Sequence, residues 1–228
     1  MSTAPPSPTR PRQGTSLRER KKLRTRQRLV ATALDLFTER GFDGATLHDL
    51  CEAVEVSERT FFRNFAGKED VVLTPSRDLW SACLEELETR SPDDASLMEF
   101  LQGALLAALD RMGDDGWTRQ LLISQRLTEQ TPSMVAHVRH FCDGASRTAL
   151  GILHRRLKLS APDDLATRLA LDLLVASFNR SLDDWGARPG TPALADLKGH
   201  LRTAFAVLPG LHTLTVAARP GEEAERTA

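Results

Sequence analysis

The sequence predicts an all-α chain. Three observations carry this. From about Leu17 to residue 208 the apolar residues recur with a helical period, the interruptions fall at glycine, proline and capping residues, and no alternating run long enough for a strand occurs. With 228 residues, 41% of them hydrophobic, the chain has room for one large domain or two modest ones. No stretch approaches the ~18 consecutive apolar residues of a membrane span. Met1 to Gln13 lacks the apolar run of a secretory signal. Cys51, Cys83 and Cys142 are odd in number and far apart, which suits a reducing cytoplasm rather than a disulfide scaffold. There is no internal repeat.

The net charge of −1 hides an asymmetry: residues 1–28 carry nine Lys/Arg against the single acid Glu19, or +8, which leaves −9 on the remainder. A basic end on an acidic body suits a polyanionic partner at that end. Residues 1–16, with four prolines, read as a disordered basic arm. The first helix starts near Leu17. Leu29, Ala33, Leu36 and Phe37 make its apolar stripe, and Arg40-Gly41 ends it, with Phe42 free to fold back on the stripe. Thr46 caps the second helix with Asp49 in a capping box, and Leu47, Leu50, Cys51 and Val54 form its buried side. After Glu55-Val56, Ser57 caps a third helix in which Phe61 and Phe65 face inward. A longer helix runs from Lys68 towards Arg90. Pro75 cannot donate to the Val71 carbonyl, so this helix should kink or restart there. Further amphipathic helices are read at 95–112, 116–130, 132–158, 162–186 and 191–208, with Pro132, Pro162 and Pro192 near three of their starts. The residues after Gly210 are polar and read as loose.

Two short capped helices with a tight break between them, Thr46 to Lys68, are the geometry of a helix-turn-helix, whose second helix enters the major groove. The outward positions of that helix are Glu58, Arg59, Phe62 and Arg63, and arginine is well suited to the O6 and N7 of guanine. Here the sequence resembles the TetR family. The residues that carry the likeness are the corner Glu39-Arg40-Gly41-Phe42, the Thr46-capped helix, and the run Val56-Ser57-Glu58-Arg59-Thr60-Phe61-Phe62-Arg63-Asn64-Phe65-Ala66-Gly67-Lys68. The resemblance implies four spans: the arm 1–16, a three-helix DNA-binding domain 17–67, a helical effector-binding and dimerisation domain 68–210, and a tail 211–228. It implies that Ser57 caps the recognition helix, that Glu58, Arg59 and Thr60 face bases or adjacent backbone, and that Phe62, Arg63, Asn64 and Lys68 line phosphates. Thr46 would hold a phosphate at its helix N-terminus. Arg24 and Arg28, with the rest of the segment Arg18 to Arg28, would add phosphate or minor-groove contacts. Three residues depart from the family's pattern. Glu55 stands where glycine is usual, so that turn is strained or built differently. Phe62 replaces a tyrosine in a chain with no tyrosine at all, and Asn64 replaces a histidine.

The 162–186 stretch is apolar on two sides, Leu165, Leu169, Leu173 and Ala176 on one and Leu171, Leu174, Phe178, Leu182 and Trp185 on the other. Such a helix is buried or shared with a partner chain. The resemblance implies a homodimer built from the last two helices, and the second of these faces is taken as the interface. Two-fold symmetry suits a palindromic operator, because two recognition helices must enter major grooves about 34–36 Å apart. The resemblance also implies a small-molecule effector pocket. Its candidates are Trp80, Leu84, Leu105, Trp117 and Leu122, then Gln125, His137, Phe141, Phe178 and Asn179, although most residues of this kind serve simply as core. The expected function is that of a cytoplasmic transcriptional regulator. It is read as a repressor released from double-stranded operator DNA when the effector tilts the helix after Lys68, with Pro75 as the flex point. The alternative is a constitutive architectural DNA-binding protein whose C-terminal domain only dimerises and holds no cavity. His137, His140 and Asp143 share a helix side but lack a fourth ligand, so no metal is expected. With no Gly-rich phosphate loop, Cys-x-x-Cys pair or nucleophile elbow, no cofactor and no enzymatic activity are expected either.

Overall fold

The computed structural model describes residues 16–113, 115–159, 165–188 and 193–215, and every described element is helical. The helices are α1 (Leu17–Arg40), α2 (Leu47–Val54), α3 (Glu58–Phe62), α4 (Lys68–Val72), α5 (Thr74–Thr89), α6 (Leu97–Met112), α7 (Asp115–Gln130), α8 (Met134–Arg156), α9 (Leu165–Gly186) and α10 (Leu194–Val207). A 3-10 turn, Leu208–Thr213, follows, so the residues just past Gly210 are ordered into a turn rather than loose. Residues 1–15 of the 1–16 arm, Pro162, Pro192 and residues 216–228 of the 211–228 tail lie outside the described residues. No described helix is long and apolar enough to cross a membrane.

The chain forms two compact units. One holds 16–75 together with Ile123–Val138; the other holds Ser76–Leu122 with 139–215. The boundary expected at residues 67 and 68 therefore lies eight residues too early, and it omits a second segment that joins the first unit. Sequence order cannot reveal that segment, because what joins it is packing between residues about fifty apart. The hydroxyl of Ser124 donates to the Val72 carbonyl, 2.6 Å away and buried.

In the first unit the ends of α1 follow from local chemistry. The Ser16 hydroxyl accepts from the Glu19 N–H, and the Glu19 carboxylate accepts from the Ser16 N–H, closing a capping box. Those hydrogen bonds hold the Glu19 carboxyl below its ordinary value. Gly41 ends the helix at φ 76°, ψ 158°, a region essentially reserved for glycine. Phe42 then turns back and packs edge-on against Phe37, with ring centroids 5.2 Å apart. Pro75 acts as expected and breaks the helix: α4 stops at Val72 and α5 restarts at Thr74, with Pro75 in its first turn. Carbonyls at the break are taken up by hydroxyls, Asp70 by Thr74 (3.0 Å) and Val72 by Ser124.

The second unit is built around α6, whose Leu101, Ala104, Leu105, Ala108 and Leu109 have no exposed surface. α9 and α10 pack on it through Leu174, Phe178, Leu197 and Leu201. Arg156 caps the end of α5 by donating to the carbonyls of Leu87 and Arg90.

This packing corrects the expected dimer face. Leu171, Leu174, Phe178, Leu182 and Trp185 all lie in the core of their own chain, Leu174 1% and Phe178 2% exposed. α9 is apolar on two sides because α6 and α10 cover one of them. The other side, Leu165 (68% exposed), Leu169 (51%) and Leu173 (39%), continues into exposed Ala176. At i, i+4, i+8 and i+11 these residues form one uncovered stripe.

Candidate functional site

The helix-turn-helix rests on three local devices. The Thr46 hydroxyl accepts from the Asp49 N–H, while the Asp49 carboxylate accepts from both the Thr46 N–H and its hydroxyl. The Thr46 side-chain hydrogen bond, then the backbone one, hold the Asp49 carboxyl below its usual range. At the other end of α2, Glu55 adopts φ 58°, ψ 45°, a left-handed conformation. The Val56 N–H reaches the Cys51 carbonyl and the Glu55 N–H that of Glu52, the two hydrogen bonds of a Schellman motif. Ser57 then caps α3 by accepting from the Thr60 N–H. Phe61 and Phe65 are buried beneath α3, and the Arg26 guanidinium lies 5.6 Å from the Phe65 ring centroid.

The left-handed Glu55 leads to a measurable expectation. A side chain in that conformation costs about 1 kcal/mol relative to glycine. Glu55→Gly should therefore raise the melting temperature by about 2–4 °C. A lower melting temperature would mean that glycine's freedom in the unfolded chain outweighs the relieved strain.

Of the residues expected to meet DNA, Glu58, Arg59, Phe62 and Arg63 stand exposed on one side of α3 and its C-terminal end, and neither arginine makes an ion pair among the described residues. Phe62 is 56% exposed, and its ring meets that of Phe61 at 88°. Arg24 and Arg28 are exposed on α1. Ser57 and Thr60 face each other, with hydroxyl oxygens 3.1 Å apart. The Thr46 hydroxyl is engaged by Asp49, so any anion at the start of α2 would be held by the N–H groups of Leu47 and His48 instead.

Two residues expected to line phosphates are also engaged within the chain. Lys68 donates to the carbonyls of Phe42 and Ala45, each at 2.8 Å, and its ammonium lies 4.6 Å from the Phe42 ring centroid. It thus ties the start of α4 to the corner after α1. The link spans more than twenty residues, so no local pattern announces it. Asn64 donates its amide to the Thr60 carbonyl at 2.7 Å, and its buried Oδ1 is an acceptor that phosphate cannot use.

The structure adds a grouping that the sequence did not disclose. Arg18, Lys21 and Lys22 from α1 line one groove of ≈ 740 Å³ together with Arg63 from the end of α3. Glu19 also lines it, but its carboxylate is held by Ser16. Four cations around one groove, on the same unit as exposed Arg59, make a surface suited to a phosphate backbone.

The second unit contains a cavity of ≈ 40 Å³. Trp80, Leu84, Phe141 and Asn179, four of the effector-pocket candidates, line it. Leu105, Trp117 and Leu122 do not; they are buried in the unit's core. Phe178 stands behind the wall, edge-on to Trp80 at 5.5 Å. Gln125 and His137 belong to the first unit, where Gln125 donates to Glu129 and the His137 ring nitrogen lies 3.3 Å from the Ser133 carbonyl. Among the lining residues not foreseen are Cys83 and Leu87, which continue the Trp80–Leu84 face at i+3 and i+7, so the helical period alone could have found them. Among the described residues no three His, Cys, Asp or Glu gather to hold a metal, and His137, His140 and Asp143 are no exception.

Comparison with known proteins agrees with this geometry. The family profile described as bacterial regulatory proteins, tetR family, matches residues 29–74. The HTH-type transcriptional regulator TcmR of Streptomyces glaucescens is 34% identical over 184 residues, which is 78% of this chain and 80% of that one. In fold, the chain is similar to a transcriptional regulator of the TerR/AcrR family from Aquifex aeolicus VF5. The TM-score is 0.51 at 16% identity, covering 81% of this chain and 99% of that structure.

Proposed function

Because the chain belongs to the TetR family of bacterial regulatory proteins and is a DNA-binding transcriptional regulator, we propose that it acts as a homodimeric repressor in the cytoplasm, released from a palindromic operator by a small molecule. The observation that carries the DNA-binding part is that Arg63, just past α3, joins Arg18, Lys21 and Lys22 of α1 around one groove, on the same helix-turn-helix that exposes Arg59. Arg59 reads base edges; Arg63, Arg18, Lys21 and Lys22 hold phosphates; Phe62 offers an apolar ring to a thymine methyl or a sugar. The uncovered stripe Leu165, Leu169, Leu173 and Ala176 supplies the two-fold contact. The cavity favours effector release over a purely architectural role. Two of its walls, α5 and α8, begin in the first unit, so whatever displaces those walls acts on helices continuous with it. The break at Leu73 is the natural place for α5 to swing.

The test is selection of the full chain on a pool of random duplex DNA, followed by footprinting. Recovery of a two-fold symmetric site supports the reading, and recovery of no preferred sequence sinks it. The groove has its own signature. Each phosphate neutralised contributes about 0.9 to the slope of log affinity against log salt. Replacing Arg18, Lys21 and Lys22 by alanine should weaken binding to every duplex alike and flatten that slope. An unchanged slope would show the groove idle.

A further inference from the structure

Resting on the effector reading above, we infer that the effector is an uncharged aromatic molecule with one hydrogen-bonding handle. The cavity is walled by Trp80 and Leu84 from α5, Phe141 and Ala145 from α8, and Leu174 and Asn179 from α9. Every lining residue is uncharged in type apart from two thiols, Cys83 and Cys142. Burial pushes both thiols up, Cys83 to about 12, so both are neutral at working pH. An ion entering here would lose its hydration and meet no counter-charge on the wall. The Trp80 indole is braced edge-on by Phe178 at 5.5 Å and 76°, which fixes its plane. Trp80 and Phe141 then offer ring surfaces that favour an aromatic guest. Polar groups are few: Ser146 is half-buried, and Asn179 is exposed at the rim, placed to meet a hydroxyl or carbonyl.

At ≈ 40 Å³ the cavity is far too small even for a single aromatic ring, which occupies a void of about 150 Å³. Such a guest must part α5 from α8 and α9 as it enters. The ligand class thereby explains the coupling, because a molecule that fitted the closed cavity would move nothing. The charges lie behind the wall rather than on it: the Arg77 guanidinium is 5.6 Å from the Phe141 ring centroid, and the carboxylates of Glu86 and Asp143 act on Cys83 and Cys142. Arg77 makes an anionic guest the competitor to test, and the two carboxylates make a cationic one the other.

The experiment titrates the full-length protein by calorimetry with four probes of one size: naphthalene, 1-naphthol, 1-naphthoate and 1-naphthylmethylammonium. At neutral pH 1-naphthol should bind ~10-fold or more tightly than either ion. Ala145→Leu fills the cavity and should abolish binding, with its melting curve reporting that the fold is retained. Asn179→Leu, at an exposed position, should bring 1-naphthol down to the affinity of naphthalene. Naphthoate binding as tightly as naphthol would overturn the inference in favour of an anion site served by Arg77. Equal binding of the cation, or no binding by any probe, would overturn it outright. Naphthol that binds but leaves the DNA complex intact supports the cavity's chemistry and removes effector release. DNA released by a charged compound, with no naphthol binding, does the reverse.

Discussion

Arg59→Ala and Arg63→Ala together are expected to abolish operator recognition while leaving the fold intact. Both side chains are exposed and without ion pairs among the described residues, so truncation removes no packing and should change stability by no more than about 0.5 kcal/mol. Their separate effects should differ in kind. Arg59 sits in the first turn of α3, where side chains reach base edges. Its loss should cost ~1–3 kcal/mol on the selected operator and relax preference at one base position. Arg63 lies past the last turn beside Arg18, Lys21 and Lys22. Its loss should weaken binding to all duplexes and lower the salt slope by about 0.9. Gel-shift titrations across a panel of single-base operator variants, repeated at several salt concentrations, separate the two roles. Wild-type selectivity in the double mutant would show that α3 does not read the operator.

The second large effect concerns assembly. Leu169→Glu with Leu173→Glu places two carboxylates in the exposed α9 stripe. The monomer should tolerate them, because both positions already face water. The dimer should not, because pairing the stripes would bury charges without partners. Light scattering should report folded monomers that no longer hold a palindromic site tightly. Leu174→Glu with Phe178→Glu should behave differently. Those side chains are core, and burying two unpaired carboxylates there costs several kcal/mol each, a large share of the ~5–15 kcal/mol that holds a domain together. That pair should unfold the second unit by circular dichroism. If the Leu169/Leu173 variant stays dimeric, the interface lies elsewhere.

The helix-turn-helix was legible because every device in it is local. Thr46 and Asp49 are three residues apart, as are Ser57 and Thr60, and Phe61 and Phe65 repeat at one turn, so caps and buried faces can be read from spacing. Even the left-handed Glu55 announced itself, as a side chain where the turn wants glycine. The intrachain partners of Lys68 are hidden for the opposite reason, because its carbonyls lie more than twenty residues back along the chain. Asn64 is a separate case: its partner, the Thr60 carbonyl, is one turn away, but spacing alone does not tell an asparagine that bonds its own helix from one that faces solvent.

α9 marks the same limit on a larger scale. Its pattern announced two apolar faces, and no pattern could say which was covered by α6 and α10 and which by another chain. In the cavity, Trp80, Leu84, Phe141 and Asn179 were recognisable as an apolar wall with a polar rim, whereas Leu105 and Trp117, of the same character, fell into the core. The amino-acid sequence by itself determined the helix-turn-helix, its caps, the exposed side of α3 and the basic end, because hydrogen bonds and side-chain periodicity within one or two turns are enough to define them. Only the tertiary structure decided which apolar face is interior, that Ile123–Val138 joins the first unit, and that Arg63 shares a groove with Arg18, Lys21 and Lys22. Apolar attraction has no direction, so it is the packing of distant segments that assigns each greasy surface its neighbour.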